Sequence, residues 1–537
     1  MSDIKFLGKK RFDEEANKVY KVPVKKLPKR NMLDTQTGEI VEAIDFESEE
    51  MLNIIVEFIR HHREKQVPRL KELERYYQGD NNIKYRQDKP DQRADNRIAS
   101  DFGKFIVAFK RGVLLGNPLK YNGDKTLMAK VDEFNSQTNE DYHNQMMGLD
   151  TFKLGRGYEL VYRNEDAQER LAKLDPQNTF VIYESKVNPG SVAGVRYFNS
   201  DLLNEKRTCV EIYANDGFIY YFECDNDDLD NLRLEDKEPS YFEAVQINEW
   251  SNNEERTGDY ESVMDNIDAY DSSQSEMANF QQEMSNALLV LEGNPETFRK
   301  KDGSFDKDAF DYSLRARFMV LGDKKNYGDG VSGSDPKAYY LKKEYDTAGV
   351  EAYNNRLVAD ILRFTFLVDF TDENMGSNQS GIGFRFKGWG SDNDRKNKER
   401  QLNKAIMRRL RLLTHSWSIK ENLNKPTGLV ETIRSIFSSE DKRQKDLYKK
   451  VNEIEILFTP NVPQSDEEIM NVIKGMVGIV SDETLFDMAT RLTGVPVEEE
   501  LKRVMKEQGK EVTDPYKEAE PKDADLSLKD SEEDGEE

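Results

Sequence analysis

Residues able to do covalent or metal chemistry are few and scattered in this chain of 537 residues. Its four histidines are His61, His62, His143 and His415. None falls in a His-Glu-x-x-His pattern, and adjacent His61 and His62 would diverge on a helix rather than share one face. The two cysteines, Cys209 and Cys224, form no Cys-x-x-Cys motif, so zinc is not expected. They read as idle or buried thiols in a reducing compartment, although a bond between them is open. No Gly-x-x-x-x-Gly-Lys-Ser/Thr loop is present to cradle a nucleotide phosphate. Gly330–Ser334 lacks the spacing of a nucleophile elbow. Carboxylates are abundant but nowhere grouped as a metal site. The acidic loop Asp225–Asp236 has no glycine where a calcium loop must turn, and reads as a solvated hairpin tip. The expectation is no catalytic residue, no metal, no cofactor and no enzyme.

What remains is electrostatic. The net charge is −24, yet Arg385, Lys387, Arg395, Lys396, Lys398, Arg400, Lys404, Arg408, Arg409 and Arg411 crowd into one short stretch. A mostly acidic wall repels phosphate, and a few basic groups on it can centre a polyanion without gripping it. Arg395, Lys396, Lys398, Arg400, Lys404, Arg408 and Arg409 are the candidates for contact with DNA or for pairing with acidic faces of another subunit. A merely solvated helix face is the competing reading, since surface ion pairs are individually weak. Just upstream lies a polar loop of Asp372, Glu373, Asn374, Met375, Gly376, Ser377, Asn378, Gln379 and Ser380, without a positive charge. Such a loop can touch a polyanion and let it pass.

The elements that would position these residues follow from periodicity and breakers. Met1–Asp45 lacks periodicity and reads as an extended arm. Ser48–Gln78 is helical, with Met51, Ile54, Ile55, Phe58 and Ile59 on one face, and Pro68 should split it. A second helix, Ala99–Leu115, stops at Gly116-Asn117-Pro118. From Gly155 to Asn248 short alternating runs predict an antiparallel sheet: Tyr158–Tyr162, Thr179–Tyr183, Gly194–Tyr197, Cys209–Ala214 and Phe218–Cys224. Tyr260–Glu292 reads as one helix spanning roughly 45–50 Å, a pattern that a coiled coil or bundle helix would share. An insert, Asn294–Tyr345, has strand-like pieces at Phe318–Leu321 and Ala338–Leu341. Helix returns over Ala348–Phe370. In the basic segment, Gly388-Trp389-Gly390-Ser391 marks either a kink or a helix that starts only at Asp392. Arg408–Phe437 reads as helix broken at Pro426, Glu453–Phe458 as strand, and Ser465–Gln508 as a helical unit capped by Ser465 and Ser481. The acidic tail from Asp514 is expected to be disordered.

A hydrophobic share of 36% and a mean hydropathy of −0.83 are lean for a chain of this length. They fit long solvated helices, or a core partly supplied by further copies of the chain. The length allows several domains, because single cores seldom grow past roughly 250–300 residues. No apolar run approaches the roughly 20 residues of a membrane helix, and no secretory signal opens the sequence, so a soluble protein made in the cytoplasm is expected.

In order, Tyr76-Tyr77-x-Gly79, Asp95-Asn96-Arg97-Ile98, Leu114–Pro118, Asp265–Asp271, Phe280–Gly293, Ser380-Gly381, Phe458–Pro463, Glu467-Glu468, Ser481–Thr484 and Glu498–Leu501 resemble the portal proteins of long-tailed bacteriophages, in the branch infecting Gram-positive bacteria. No single motif is specific; their order and spacing, over about residues 52–508, carry the resemblance. It implies an α+β portal fold: an arm (1–47), a wing of helices and antiparallel sheet (48–258), a first stem helix (259–293), a clip (294–345), a second stem helix (346–370), a tunnel loop (371–384), a channel helix and return to the wing (385–460), a helical crown (461–510) and an acidic tail (511–537). It also implies a homo-oligomeric ring, typically of twelve copies, at one capsid vertex in the virion. Double-stranded DNA would pass through the channel in packaging and ejection. Partners would be terminase, the major capsid protein, a scaffolding protein and a head-completion adaptor, with no membrane involved. The clip would dock terminase, with Tyr312, Phe318, Lys324, Lys325 and Tyr327 as candidate contacts. Competing readings are a minor head protein or head–tail adaptor, which should lack the paired helices and polar loop, and a packaging enzyme, against which the missing nucleotide site counts.

Overall fold

The computed structural model describes residues 11–33, 40–89, 94–202, 205–240, 242, 244–284, 288–292, 298–315, 337–341, 346–368, 388–423, 447–461, 466–493, 495 and 497–507. The chain divides into two compact units, Met1–Asn461 and Val462–Glu537.

The first unit mixes helix and sheet. Helix α1 (Glu49–His61) starts where the Ser48 hydroxyl accepts from the Met51 amide, with Glu49 and Glu50 favourably placed at its positive end. The split expected at Pro68 is a π-helical turn, His62–Gln66, directly before α2 (Val67–Tyr77). Helix α3 (Phe102–Leu115) follows. Two helices escaped the sequence reading, α4 (Lys125–Thr138) and α5 (Glu140–Leu154), with Asn139 between them in the left-handed region at φ 51°. Helix α5 is buried on almost every side, from His143 and Asn144 to Met147, Asp150 and Phe152, so it carries no apolar stripe to betray it.

All five expected strands exist. They lie within β5 (Arg156–Arg163), β7 (Thr179–Glu184), β8 (Ser191–Leu202), β9 (Glu205–Ala214) and β10 (Phe218–Asp225). With β1 (Tyr20–Val22) and β11 (Arg233–Pro239), the last four form a sheet of order β1-β7-β8-β9-β10-β11. A second sheet has the order β12 (Ile247–Ser251), β5, β6 (Glu169–Leu174). One core lies between α1 and the larger sheet, from Met51 and Ile55 to Val195 and Phe222. Another joins the helices to the smaller sheet around Trp250, Met147 and Leu413.

The N-terminal segment is not merely an arm. Tyr20 pairs in parallel with Ile182, and β2 (Lys29–Leu33) and β3 (Ile40–Ile44) form a hairpin. Arg30 ties that hairpin to Glu47 at 2.8 Å and to Asp216 at 3.1 Å. Pairings this short leave no periodic signature. The acidic loop is the β10–β11 hairpin, as read, but its tip also docks on α1 and the π turn through Arg60–Asp230 and Arg63–Asp227. Both cysteines are free.

The long helix expected over Tyr260–Glu292 is corrected. Helix α6 is Met264–Met284, 21 residues, so it spans about 30 Å. Leu288–Glu292 is instead strand β13, paired with β14 (Lys337–Leu341) from Leu288↔Leu341 to Glu292↔Lys337. Leu288 and Leu291 happened to continue the heptad, but a short apolar run cannot be assigned by periodicity alone. The insert also carries helix α7 (Lys307–Arg315). Helix α8 (Thr347–Phe364) ends earlier than expected, and Phe366 beyond it has φ 59°. Helix α9 (Trp389–Leu423) runs for 35 residues through Gly390, so it begins at the glycine cluster rather than at Asp392. Strand β15 (Glu455–Leu457) returns to pair with β4 (Lys120–Asn122). The strand expected at Phe318–Leu321, the break at Pro426, the cap at Ser465, the loop 371–384 and the tail 511–537 lie outside the described residues.

The second unit has three short helices, α10 (Asp466–Met476), α11 (Asp482–Thr493) and α12 (Val497–Glu507). The expected cap at Ser481 is present, its Oγ accepting from the Thr484 amide at 3.4 Å.

Candidate functional site

The basic residues of α9 divide into three groups. Arg408 and Arg409 fasten the helix to the sheet. Arg408 donates to the backbone oxygens of Val245 (3.1 Å) and Ile247 (3.3 Å) and to Ser191 Oγ at 2.8 Å, and burial pulls its pKa below the ordinary value. Arg409 is fully buried over the Trp250 ring. Its guanidinium reaches Glu159 Oε2 at 2.7 Å, Asn144 Oδ1 at 2.9 Å and Glu140 Oε1 at 3.2 Å. Glu159 also meets His143 Nε2 at 3.0 Å and accepts from Asn248 Nδ2 at 2.7 Å. Burial disfavours the Glu159 carboxylate, but Arg409 and His143 outweigh it and hold its pKa well below the usual carboxylate range.

Lys398 is buried as well. Its ammonium donates to Asp259 Oδ1 at 2.5 Å and to Asn252, and lies over the Phe152 ring. Lys110 approaches Asp259 at 3.4 Å and Asp394 at 2.8 Å. Burial works against the Asp259 carboxylate, yet the two lysines keep its pKa lowered. Burial, reinforced by Lys110, pulls Lys398 below the ordinary lysine value. Lys398 and Arg409 are therefore corrected as candidates: both are sealed inside the subunit, because an amphipathic helix lying on a polar sheet satisfies buried carboxylates of its own chain. Arg408 spends its donors in the same way.

Arg395 pairs with Asp392 and Glu399, and Lys396 with Asp392 at 2.8 Å, all along the same helix. Arg400 and Lys404 are exposed; Arg400 donates only to Asn397 within the helix, at 2.8 Å. Lys396 and Arg411 are exposed too, but Lys396 is paired along the helix and Arg411 donates to Asn452 Oδ1 at 3.0 Å.

The ends of α8 and α9 meet. A Cβ built on Gly390 would lie 3.7 Å from Phe366 Cδ1. The stretch with Asp372, Glu373, Asn374, Met375, Gly376, Ser377, Asn378, Gln379 and Ser380 connects these two ends and lies outside the described residues. Of the candidate docking residues, Tyr312 is 70% exposed on α7. Phe318, Lys324, Lys325 and Tyr327 are outside the described residues.

The helix α6 that packs against α8 holds a relationship the sequence reading missed. Its buried face turns polar after Ile267, with Asp271, Ser275 and Asn279. An extended strap runs antiparallel along it. The backbone amide of Ser100 donates to Asp271 Oδ1 (3.0 Å), that of Ile98 to Ser275 Oγ (2.9 Å), and that of Asn96 to Asn279 Oδ1 (2.6 Å). Four residues of helix rise about 6 Å and two of extended chain about 6.6 Å, so the ladder stays in register. Arg11 and Tyr76 hold the start of the same helix through Asp265 and Asp268.

His61 and His62 do not diverge as expected. The π turn that begins at His62 lets both rings close on Tyr20, with centroids 5.7 and 6.3 Å away. His62 also bonds Tyr197 at 2.7 Å, and burial pushes its pKa down to about 3. Among the described residues no His, Cys, Asp and Glu side chains group as a metal site.

A family model described as phage portal protein, SPP1 Gp6-like, matches residues 56–514. The chain belongs to this family of phage portal proteins. Nothing among the curated proteins matches it. As a phage portal protein it is a component of the virion capsid and serves viral DNA packaging. Portal proteins of this family are structural and act as oligomeric rings, with DNA, capsid and terminase as partners in general. No helix among the described residues is long and apolar enough to cross a membrane.

Proposed function

We propose that twelve copies of this portal protein form the ring at one capsid vertex of a long-tailed phage of a Gram-positive host. In this reading the β-sheets and α1–α5 are the wing, α6 and α8 the stem, and the insert around α7 and β13–β14 the clip. The polar stretch 371–384 is the tunnel loop, α9 the channel helix, and α10–α12 the crown. Double-stranded DNA passes the loop and the exposed Arg400 and Lys404. Terminase docks on the clip around Tyr312 during packaging, and a head-completion adaptor replaces it. The scaffolding protein and the major capsid protein meet the outside of the ring.

The observation that carries this reading is that Phe366, just past α8, lies beside Gly390 at the start of α9. It sets the end of α8 beside the start of α9, which supports reading the stretch between them as a loop. The composition of 371–384, acidic and amide-rich without lysine or arginine, suits sliding contact with phosphates. Deleting Asn374–Asn378 should leave rings intact and reduce the amount of DNA packaged. Normal packaging by intact rings carrying the deletion would remove the loop from this role.

A further inference from the structure

Between residues 466 and 507 not one described residue is buried. Several apolar side chains there stand open: Ile479 is 78% exposed, Val477 65%, Met470 44% and Met505 41%. The helices have only 11, 12 and 11 residues, at or below the roughly 12–15 at which an isolated helix becomes even marginal in water. The described helices of 466–507, about 40 residues with none buried, need a staple or an association to persist. No disulfide and no metal cluster supplies the staple among the described residues.

The helices form an open row. Helix α11 packs on α10 and on α12, while α10 and α12 have no substantial packing on each other. The row therefore ends in two unlike faces. On α10 and the turn after it Met470, Val472, Val477 and Ile479 are exposed, and on α12 Met505 is exposed beside Lys502 and Lys506. Unlike faces on one chain are what a heterologous contact joins, and in a cyclic ring such contacts close on themselves.

We infer that the outer face of α10 in one copy packs on the outer face of α12 in the next, so that this unit acquires its core only when the ring closes. The inference rests on the ring reading and adds to it which faces meet and that their ordering depends on assembly. The occupant is the same unit of an adjacent copy, because a ring of identical chains brings another copy of this unit next to each one.

The test uses the full chain carrying Met470→Cys and Met505→Cys together, with each single variant and the unaltered chain as controls for Cys209 and Cys224. Rings are first verified by light scattering, oxidised with diamide and run on a denaturing, non-reducing gel. The double variant should give a ladder of covalent multiples of the 62.3 kDa chain, and the controls none. Intact rings without a ladder, or with only an intrachain cross-link, would overturn the pairing while leaving the ring in place. Absence of rings would instead overturn the ring reading, and this inference with it. Hydrogen exchange on the unaltered chain gives a second check free of substitutions. Amides of 466–507 should exchange at least tenfold more slowly in rings than in monomers, and equal rates would contradict the inference.

Discussion

Arg409 on helix α9 and Glu159 on strand β5 form a fully buried ion pair, Nη2 to Oε2 at 2.7 Å, although 250 residues separate them. Removing one partner strands the other charge away from water, at a typical cost of about 3–5 kcal/mol. Arg409→Ala should therefore lower the urea midpoint markedly and reduce soluble yield. Glu159 would be left with His143 as its remaining ionisable partner. A variant as stable as the parent in urea titration would contradict the anchoring role.

The exposed pair behaves differently. Arg400→Glu with Lys404→Glu should leave stability within about 0.5 kcal/mol, as surface changes usually do, and still alter packaging or ejection. Lys398→Glu, beside Asp259, should instead prevent folding, because it buries two like charges together. Unchanged titre and ring yield in the Arg400/Lys404 variant would reduce these residues to a solvated face.

His62 makes stability depend on pH. Its folded pKa is about 3, below the ordinary value of about 6.5. Between those values the unfolded chain binds a proton that the folded chain refuses, so stability falls as pH drops, by up to about 1.4 kcal/mol per pH unit. The contribution is complete above about pH 6.5 and fully lost below about pH 3. His62→Gln should flatten the fall between pH 6.5 and 4.5 in thermal melts, whatever its effect at pH 7. The depressed Glu159 and Asp259 carboxylates add their own loss only at lower pH, below about 4. A slope identical to the parent's between pH 6.5 and 4.5 would remove His62 from this dependence.

The strap ladder predicts local effects at a distance in sequence. Ser275→Ala and Asn279→Ala should each cost about 1 kcal/mol and speed exchange at the amides of Ile98 and Asn96 respectively, leaving the amides of β8 and β9 unchanged. Exchange at those two amides that is indifferent to the substitutions would show that the strap is held by other contacts.

Much of the architecture was legible because it rests on patterns that follow geometry. The alternation of β5 and β7–β10 marks strands, and the stripe through Met51, Ile55 and Ile59 marks α1. Pro68 marks the break after α1. Helix α5 was hidden because it is buried all round, and β13 because Leu288–Leu291 suits either state. At the site, charge density pointed to α9 but could not say which charges face outward. Burial of Lys398, Arg408 and Arg409 depends on carboxylates and carbonyls of distant segments, Asp259, Glu159 and Val245, which no local pattern brings together. The strap was in principle readable: residues 96, 98 and 100 at strand spacing and 271, 275 and 279 at helical spacing. Only their pairing in space gives the spacing meaning.

The ring itself is tested most directly by electron cryo-microscopy of the purified full chain. Class averages viewed down the particle axis should show twelve equivalent subunits around an open central channel. Particles without a channel, or a chain that stays monomeric across protein concentration and salt, would contradict the account.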